Sequence, residues 1–128
     1  MDIQSREDIE LLMNKFYDKV KKDDTLGYIF NDVAKVNWAH HIPIICNFWE
    51  TILLGASSYR NNAMAVHYEL NRKEPFEQKH FERWLHLFNE TVDSLFSGNI
   101  ATMAKTRAKS IASLMLFKME HENSGKLK

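Results

Sequence analysis

The sequence predicts an all-α domain, and three observations support this. Only four glycines and two prolines occur in 128 residues, so the chain has few helix breakers. Apolar residues recur at helical spacing in four long segments, and no stretch alternates apolar and polar residues for long enough to form a strand. With 45% hydrophobic residues, the chain has the size and composition of one packed domain over residues 1–128.

The first helix is predicted to follow Ser5, whose hydroxyl can cap it, with Asp8 three residues later as in a capping box. Its apolar stripe consists of Ile9, Leu12, Met13, Phe16, Tyr17 and Val20. The run Leu26–Phe30 that follows is too short for a helix and too apolar for a solvated loop. We interpret it as a turn that packs on the domain.

The second predicted helix lies within Trp38–Leu54 and ends at Gly55. Because proline belongs in the first turn of a helix, Pro43 predicts that the regular helix starts near His40 or His41. Its main apolar stripe is Ile42, Ile45, Trp49, Ile52 and Leu53, with Phe48 beside it.

Two further helices are predicted over Phe76–Phe96 and Ile100–Met119, separated by Gly98-Asn99, and Pro75 suits the first position of the earlier one. The face predicted to point inward on the earlier helix is Phe81, Trp84, Leu85, Phe88, Val92, Leu95 and Phe96. That of the later helix is Met103, Ala104, Ala108, Ile111, Ala112, Met115 and Met119. The core is therefore expected to span about residues 5–119, with residues 120–128 as a polar, frayed tail.

Charge and composition argue against several classes of protein. The 17 Lys and Arg balance the 17 Asp and Glu, so the chain lacks the basic surplus of a nucleic-acid binder. The one cysteine, Cys46, excludes an internal disulfide framework. The longest apolar run, Ile42–Cys46, is far below the roughly 20 residues of a membrane helix, and no secretory signal is visible. We therefore expect a cytoplasmic protein with neither nucleic acid nor membrane as a partner.

Histidines are the main candidates for chemistry, and two of them have informative positions. None of the six has the spacing of a zinc site, and the pair of inward Glu-x-x-His motifs that a di-metal bundle needs is absent. His67 lies in a short apolar segment between two loops, where it either bonds to a nearby carbonyl or serves as an axial metal ligand. His41 begins an apolar stripe through Ile45 and Trp49, either as a solvated residue or at the mouth of a pocket.

Tyr17 and Trp84 each combine an apolar body with one polar hydrogen, so each needs a hydrogen-bond partner when buried. Taken alone, each is more simply interpreted as core than as a cofactor contact. Cys46 lies within an apolar run, and a single buried cysteine is normally inert packing.

Five blocks taken together resemble the truncated globins of group III. They are KFYDKV (Lys15–Val20), WAHHIPIICNFWETILLG (Trp38–Gly55), AVHYEL (Ala65–Leu70), PFEQKHFERWLHLFNETVDSLFSG (Pro75–Gly98) and RAKSIASLM (Arg107–Met115). Their order and spacing make the resemblance specific over about residues 5–119. It implies a two-over-two helical sandwich around one non-covalent haem b, iron protoporphyrin IX.

The resemblance also implies roles for individual residues. His67 corresponds to the proximal ligand of the haem iron. Three residues correspond to the distal side, where they contact a bound ligand: Tyr17, His41 and Trp84. Ile45 and Phe48 correspond to the apolar distal wall. Phe30 corresponds to the ring that packs against the haem.

Two positions depart from the pattern of many truncated globins. Ile44, three residues after His41, and Val66, just before His67, stand where a cation often neutralises a haem propionate. The candidates for that task are therefore the cations that flank the proximal segment, Arg60, Arg72 and Lys73.

The resemblance implies a haem protein that reversibly binds oxygen and other diatomic ligands such as NO and CO, in oxygen binding, sensing, storage or transport. We expect a monomer. The alternative is a haem enzyme with nitric oxide dioxygenase or peroxidase-like activity, which would need a separate reductase because no flavin domain fits in 128 residues. A helical interaction module without haem is a third hypothesis, and a Soret band on the purified protein would exclude it.

Replacing the predicted axial ligand tests the haem hypothesis directly. His67→Gly is expected to lose haem, or to retain it only when free imidazole occupies the vacated coordination position. The measurement is the Soret absorbance of the purified variant with and without imidazole. Normal haem retention with an unchanged iron–histidine vibration would show that His67 is not the ligand.

Overall fold

The computed structural model describes residues 1–29, 37–55 and 77–126, with side chains as far as residue 117. These residues form four helices: α1 (Arg6–Lys22), α2 (Trp38–Leu54), α3 (Gln78–Leu95) and α4 (Asn99–Lys126). No strand occurs in these ranges, and the all-α prediction is confirmed. Helix α1 packs against both α2 and α3, α3 packs along α4, and α2 and α4 meet over a smaller area. Residues of α1, α2 and α3 therefore come together around α1.

Helix α1 agrees closely with its prediction. The Ser5 hydroxyl accepts a hydrogen bond from the backbone N–H of Asp8, 3.3 Å away. The Asp8 carboxylate accepts from the backbone N–H of Gln4 at 2.8 Å, one residue earlier than a capping box requires. All six residues of the predicted stripe are buried: Ile9, Leu12, Met13, Phe16, Tyr17 and Val20.

The apolar turn after α1 packs on the domain as predicted, as far as Ile29. Leu26 and Ile29 are buried. The Asp23 carboxylate accepts hydrogen bonds from the backbone N–H groups of Thr25 and Leu26, at 3.0 and 3.1 Å, and from Arg83 Nε at 2.6 Å. One carboxylate therefore shapes the turn and ties it to α3.

Helix α2 begins at Trp38, so the predicted start near His40 or His41 is wrong. The side chain of Asn37 caps the helix by accepting from the backbone N–H of His40 at 3.3 Å. This cap forms a first turn ahead of Pro43, which then lies inside the helix. The position of Pro43 alone predicted the wrong start, because the helix begins after the capping residue Asn37.

Helix α3 begins at Gln78, after Glu77 in an extended conformation, so Pro75 does not occupy the first helical position. The backbone N–H of Glu77 donates to Nδ1 of His80 at 2.8 Å. His80 is only 4% exposed. Its imidazole therefore completes the start of α3.

Helix α4 runs to Lys126, so residues 120–126 are helical and the predicted frayed tail is wrong there. The helix contains no proline and meets its first glycine only at position 125, which explains the continuation. Its buried face is Ala101, Ala104, Ala108, Ala112 and Met115. Met103 is 38% exposed, contrary to prediction, because it lies about 100° around the helix from Ala104.

Two glycines with positive φ mark helix ends. Gly55, at φ 76°, ends α2 as predicted. Gly98, at φ 131°, joins α3 to α4, and a Cβ there would lie 2.7 Å from the Asp2 carboxyl. The lack of a side chain at Gly98 lets the start of the chain approach this junction.

Asp2 caps the start of α4 from the far end of the chain. Its carboxylate oxygens accept from the backbone N–H groups of Ile100 and Ala101, at 2.9 and 2.8 Å, and from that of Ile3 at 2.8 Å. These donors, Ile100 first, hold the pKa of Asp2 below its ordinary value of 3.8. Local sequence patterns could not reveal this cap because the residues are distant in sequence.

Within the described ranges, no helix has both the length and the apolar character needed to cross a membrane.

The Asp2 cap predicts a pH-dependent contribution to stability. Because the pKa of Asp2 is lower in the folded protein, its charge stabilises the fold above pH 3.8 and this effect is lost as the pH falls through the folded-state pKa. Asp2→Asn is therefore expected to lower the melting temperature at pH 7, and the difference from the parent protein should shrink towards pH 3. Thermal unfolding followed by circular dichroism measures both. Asp24→Asn, at an exposed carboxylate on the turn after α1, is the control. A difference that is constant with pH would contradict the cap.

Candidate functional site

Tyr17 of α1 and Trp84 of α3, both predicted on the distal side of a haem, are neighbours in the structure. Tyr17 is 6% exposed and Trp84 is half-buried. The Trp84 indole N–H, which can only donate, lies near enough to the Tyr17 hydroxyl to lower the pKa of the phenol. Burial acts more strongly in the opposite direction and raises the pKa of Tyr17 to about 12. The phenol therefore keeps its proton at neutral pH.

A cluster of aromatic rings fixes Trp84. Its ring is stacked on Phe88, with centroids 5.6 Å apart and an angle of 18°. On Phe88 a second indole, Trp49 of α2, is also stacked, at 5.0 Å and 23°. Phe16 of α1 meets Trp84 and Phe88 edge-on, at 5.5 and 5.2 Å. Offset-stacked and edge-to-face geometries are the preferred ones for aromatic rings. These contacts therefore hold the Trp84 indole in place beside Tyr17.

His41, the third predicted distal residue, is connected to Tyr17 through Trp38. The Trp38 ring lies 5.3 Å from that of Tyr17 and meets the His41 ring edge-on at 6.4 Å. The ammonium of Lys21 lies 5.2 Å from the Trp38 ring centroid. Sequence reasoning did not single out Trp38, although its spacing of three residues before His41 places both on one helix face.

The apolar stripe predicted for α2 divides into two parts. Trp49 and Leu53 are buried, and so is Cys46. The other predicted members are only half-buried: Ile42, Ile45, Ile52 and the adjacent Phe48. His41, Ile45, Phe48 and Ile52 are spaced by four, three and four residues, which is one face of a helix, and we call this face the α2 strip. It combines apolar side chains with a histidine at its N-terminal end.

Five predicted site residues lie outside the described residues: His67, Phe30, Arg60, Arg72 and Lys73. Their roles as proximal ligand, haem contact and propionate partners stay predictions. In the part of the chain that the structure describes, no group of three or more His, Cys, Asp and Glu side chains could hold a metal ion. His80 there serves as a cap, and His86 is exposed beside Glu90 at 3.6 Å.

The described residues fit the distal side of a haem. The α2 strip offers a half-buried apolar surface of the kind that a flat, largely apolar macrocycle covers. Tyr17 and Trp84 are neutral hydrogen-bond donors and suit a ligand bound at iron.

Cys46, next to this region, is not suited to chemistry. It is 0% exposed, and burial raises the pKa of its thiol to about 11 although the nearby Arg6 guanidinium acts against the increase. Arg6 itself is held by Asn47 Oδ1 at 2.6 Å and by Glu50 Oε1 at 3.1 Å. The cation therefore joins α1 to α2 and does not activate the thiol.

Comparisons with known proteins show which family the chain resembles. The chain is 38% identical over 112 residues to the group 3 truncated hemoglobin ctb of Campylobacter jejuni, covering 85% of this chain and 86% of the relative. It is similar to the crystal structure of a group III truncated hemoglobin from the same species, with a TM-score of 0.79 and 34% identity over 93% of this chain and 95% of that one. No family model matches the sequence.

The state of Cys46 can be tested by alkylation. The folded protein is expected not to react with iodoacetamide at pH 8, because the thiol is buried and its pKa is about 11. After unfolding in denaturant, the one cysteine should react fully. Mass spectrometry before and after unfolding gives the modified fraction. Rapid alkylation of the folded protein would show that Cys46 is accessible as a thiolate.

Proposed function

The chain belongs to the group III truncated hemoglobins, a haem globin family, and we propose that it reversibly binds oxygen and other diatomic ligands at a haem b ligated by His67. When bound, haem supplies an iron atom that coordinates a diatomic gas. The protein supplies the axial imidazole, the shape of the pocket and the hydrogen-bond donors that select among ligands. NO and CO are proposed as further ligands.

The observation that carries this proposal is the pairing of Trp84 with Tyr17. The indole lies near the phenol oxygen and can only donate to it, so the phenol proton is left for an acceptor in the pocket. Since a hydrogen bond accepted by a hydroxyl polarises it, Trp84 strengthens Tyr17 as a donor. The raised pKa of Tyr17 ensures that this proton is present at neutral pH.

The remaining distal residues shape the pocket. Ile45 and Phe48 of the α2 strip provide an apolar wall, which is proposed to lie against the haem. His41, at the N-terminal end of the same strip and edge-on to Trp38, is proposed as a further distal contact. Phe30 is proposed as the ring packed on the haem. The proposed partners of the propionates are Arg60, Arg72 and Lys73.

Oxygen gains more from a hydrogen-bond donor than carbon monoxide does, because oxygen draws more negative charge onto its outer atom when it binds. The Tyr17–Trp84 pair is therefore expected to slow the release of oxygen more than it slows the release of carbon monoxide. Slow release suits retention or chemistry of oxygen better than its delivery.

The proposal is tested first by spectroscopy. The purified protein, supplied with haem, is expected to show a Soret band in the ferric form and distinct spectra on reduction and on exposure to oxygen. A protein that binds no haem under conditions where its helical content is native would reject the proposed function.

Tyr17→Phe tests the donor. Removing the hydroxyl should accelerate oxygen dissociation about ten- to a hundredfold, because a hydrogen bond to a charged acceptor contributes about 1.5–3 kcal/mol. Stopped-flow displacement of oxygen measures the rate. Carbon monoxide dissociation should change less. Tyr28→Phe, at a tyrosine 42% exposed, is the matched control and should leave both rates unchanged. An unchanged oxygen rate in Tyr17→Phe would mean that the phenol does not reach the ligand.

A further inference from the structure

We propose that Trp38 is a positioning residue for Tyr17, and that Lys21 in turn fixes Trp38. This inference rests on the proposed function, since it assigns the residues that aim the Tyr17 donor. Trp38 was not among the site residues predicted from sequence, and it touches neither Trp84 nor Phe88 among the ring contacts of the described residues.

Tyr17 contacts three other aromatic residues, and they differ in how they are held. Phe16, 4.6 Å away, is fully buried on the same helix. Trp84 belongs to the stacked cluster with Phe88. Trp38, 5.3 Å away at 43°, comes from α2 and is half-buried. The Trp38 ring packs against the core from α2 and reaches Tyr17 from that side.

Lys21 adds a charged contact to the Trp38 ring. Its ammonium is 5.2 Å from the ring centroid, within the range of a cation–π interaction. Asp18, one turn earlier on α1, lies 3.6 Å from the same ammonium and helps to hold it there. Tyr17 and Lys21 are four residues apart on α1, so one face of this helix holds the indole at two points.

Two consequences for Tyr17 follow from this arrangement. The Trp38 ring occupies space beside the phenol that water would otherwise enter, and water would compete for the phenol proton. It also meets His41 edge-on at 6.4 Å, so a movement of His41 would be transmitted to Tyr17 through one ring. Trp38 is thus expected to set the strength of the donor without touching the ligand.

The test places substitutions at Trp38 in two backgrounds. Trp38→Leu in the otherwise unchanged protein is expected to accelerate oxygen dissociation about two- to tenfold, the lower part of the range produced by coupling between residues in contact. In the Tyr17→Phe background the same substitution should have no effect, because the donor that Trp38 positions is already gone. Trp38→Phe keeps an aromatic ring and is expected to retain most of the parent behaviour.

Lys21→Met tests the second part of the proposal. Removing the ammonium while keeping the length of the side chain should shift the oxygen rate in the same direction as Trp38→Leu, by a smaller factor. Lys22→Met, at the exposed neighbouring lysine, is the matched control for charge. Asp18→Asn removes the ion pair but leaves the cation over the ring. Its effect on oxygen release should lie between those of Lys21→Met and Lys22→Met.

A spectroscopic measurement reports on Tyr17 without ligand kinetics. In protein labelled with 3-fluorotyrosine, the fluorine resonance of Tyr17 is assigned by its loss in Tyr17→Phe. Trp38→Leu and Lys21→Met should move or broaden this resonance, whereas Lys22→Met should not. Circular dichroism establishes that each variant has native helical content, and Trp38→Phe serves where Trp38→Leu does not fold.

The outcomes separate this inference from the proposed function. If Trp38→Leu accelerates oxygen release equally with and without the Tyr17 hydroxyl, Trp38 does not act through Tyr17 and the positioning role is wrong. An unchanged Tyr17 resonance in Trp38→Leu also overturns it. If Tyr17→Phe itself leaves oxygen release unchanged while the resonance still moves in Trp38→Leu, the donor function fails but the positioning of Tyr17 stands.

Discussion

The ring of Phe16 is the contact on which the arrangement of the other helices depends. It is fully buried on α1 and meets two rings of α3, Trp84 and Phe88, edge-on. Phe88 in turn is stacked on Trp49 of α2. The preferred stacked and edge-to-face angles between these rings therefore fix how the three helices pack together. This packing places Tyr17, the residue after Phe16, beside Trp84. Tyr17 and Trp84 add two polar groups to this apolar cluster, and the indole N–H, which can only donate, lies near a phenol oxygen that can accept.

Surface charge adds little to this arrangement by comparison. The ion pairs between helices, such as Lys19–Glu90 at 3.1 Å and Lys105–Asp93 at 2.6 Å, involve partly exposed side chains. Pairs of this kind each contribute about 0–1 kcal/mol. Burial of the aromatic side chains, at about 1.5–3 kcal/mol for a ring such as Phe16, dominates the cohesion of the three helices. The charges are better understood as selecting the relative rotation of helices that already attract one another.

The spacing of apolar residues was sufficient to predict the buried face of α1. It was insufficient where contacts between residues distant in sequence decide which side chains are buried. The six-residue stripe of α1 was correct because burial follows helical spacing directly when one face meets the core. Spacing on α2 could not separate the buried Trp49 from the half-buried Ile45, since both satisfy the same periodicity and only the neighbouring helices distinguish them. The resemblance identified Tyr17 and Trp84 separately. That the two lie near each other required the packing of α1 on α3, and the role proposed for Trp38 required the position of Lys21 as well.

The bond between Asp2 and the start of α4 has a consequence for the order in which the protein is completed. Asp2 is synthesised long before Ile100 and Ala101, so during translation its carboxylate lacks its two donors in α4 until most of the chain has emerged. Closing such a long segment has an entropic cost that only a largely assembled domain can offset. The N-terminal residues should therefore settle late. Until then, the residues around Asp2 lack their contact with α4, and a chaperone or a protease could reach them.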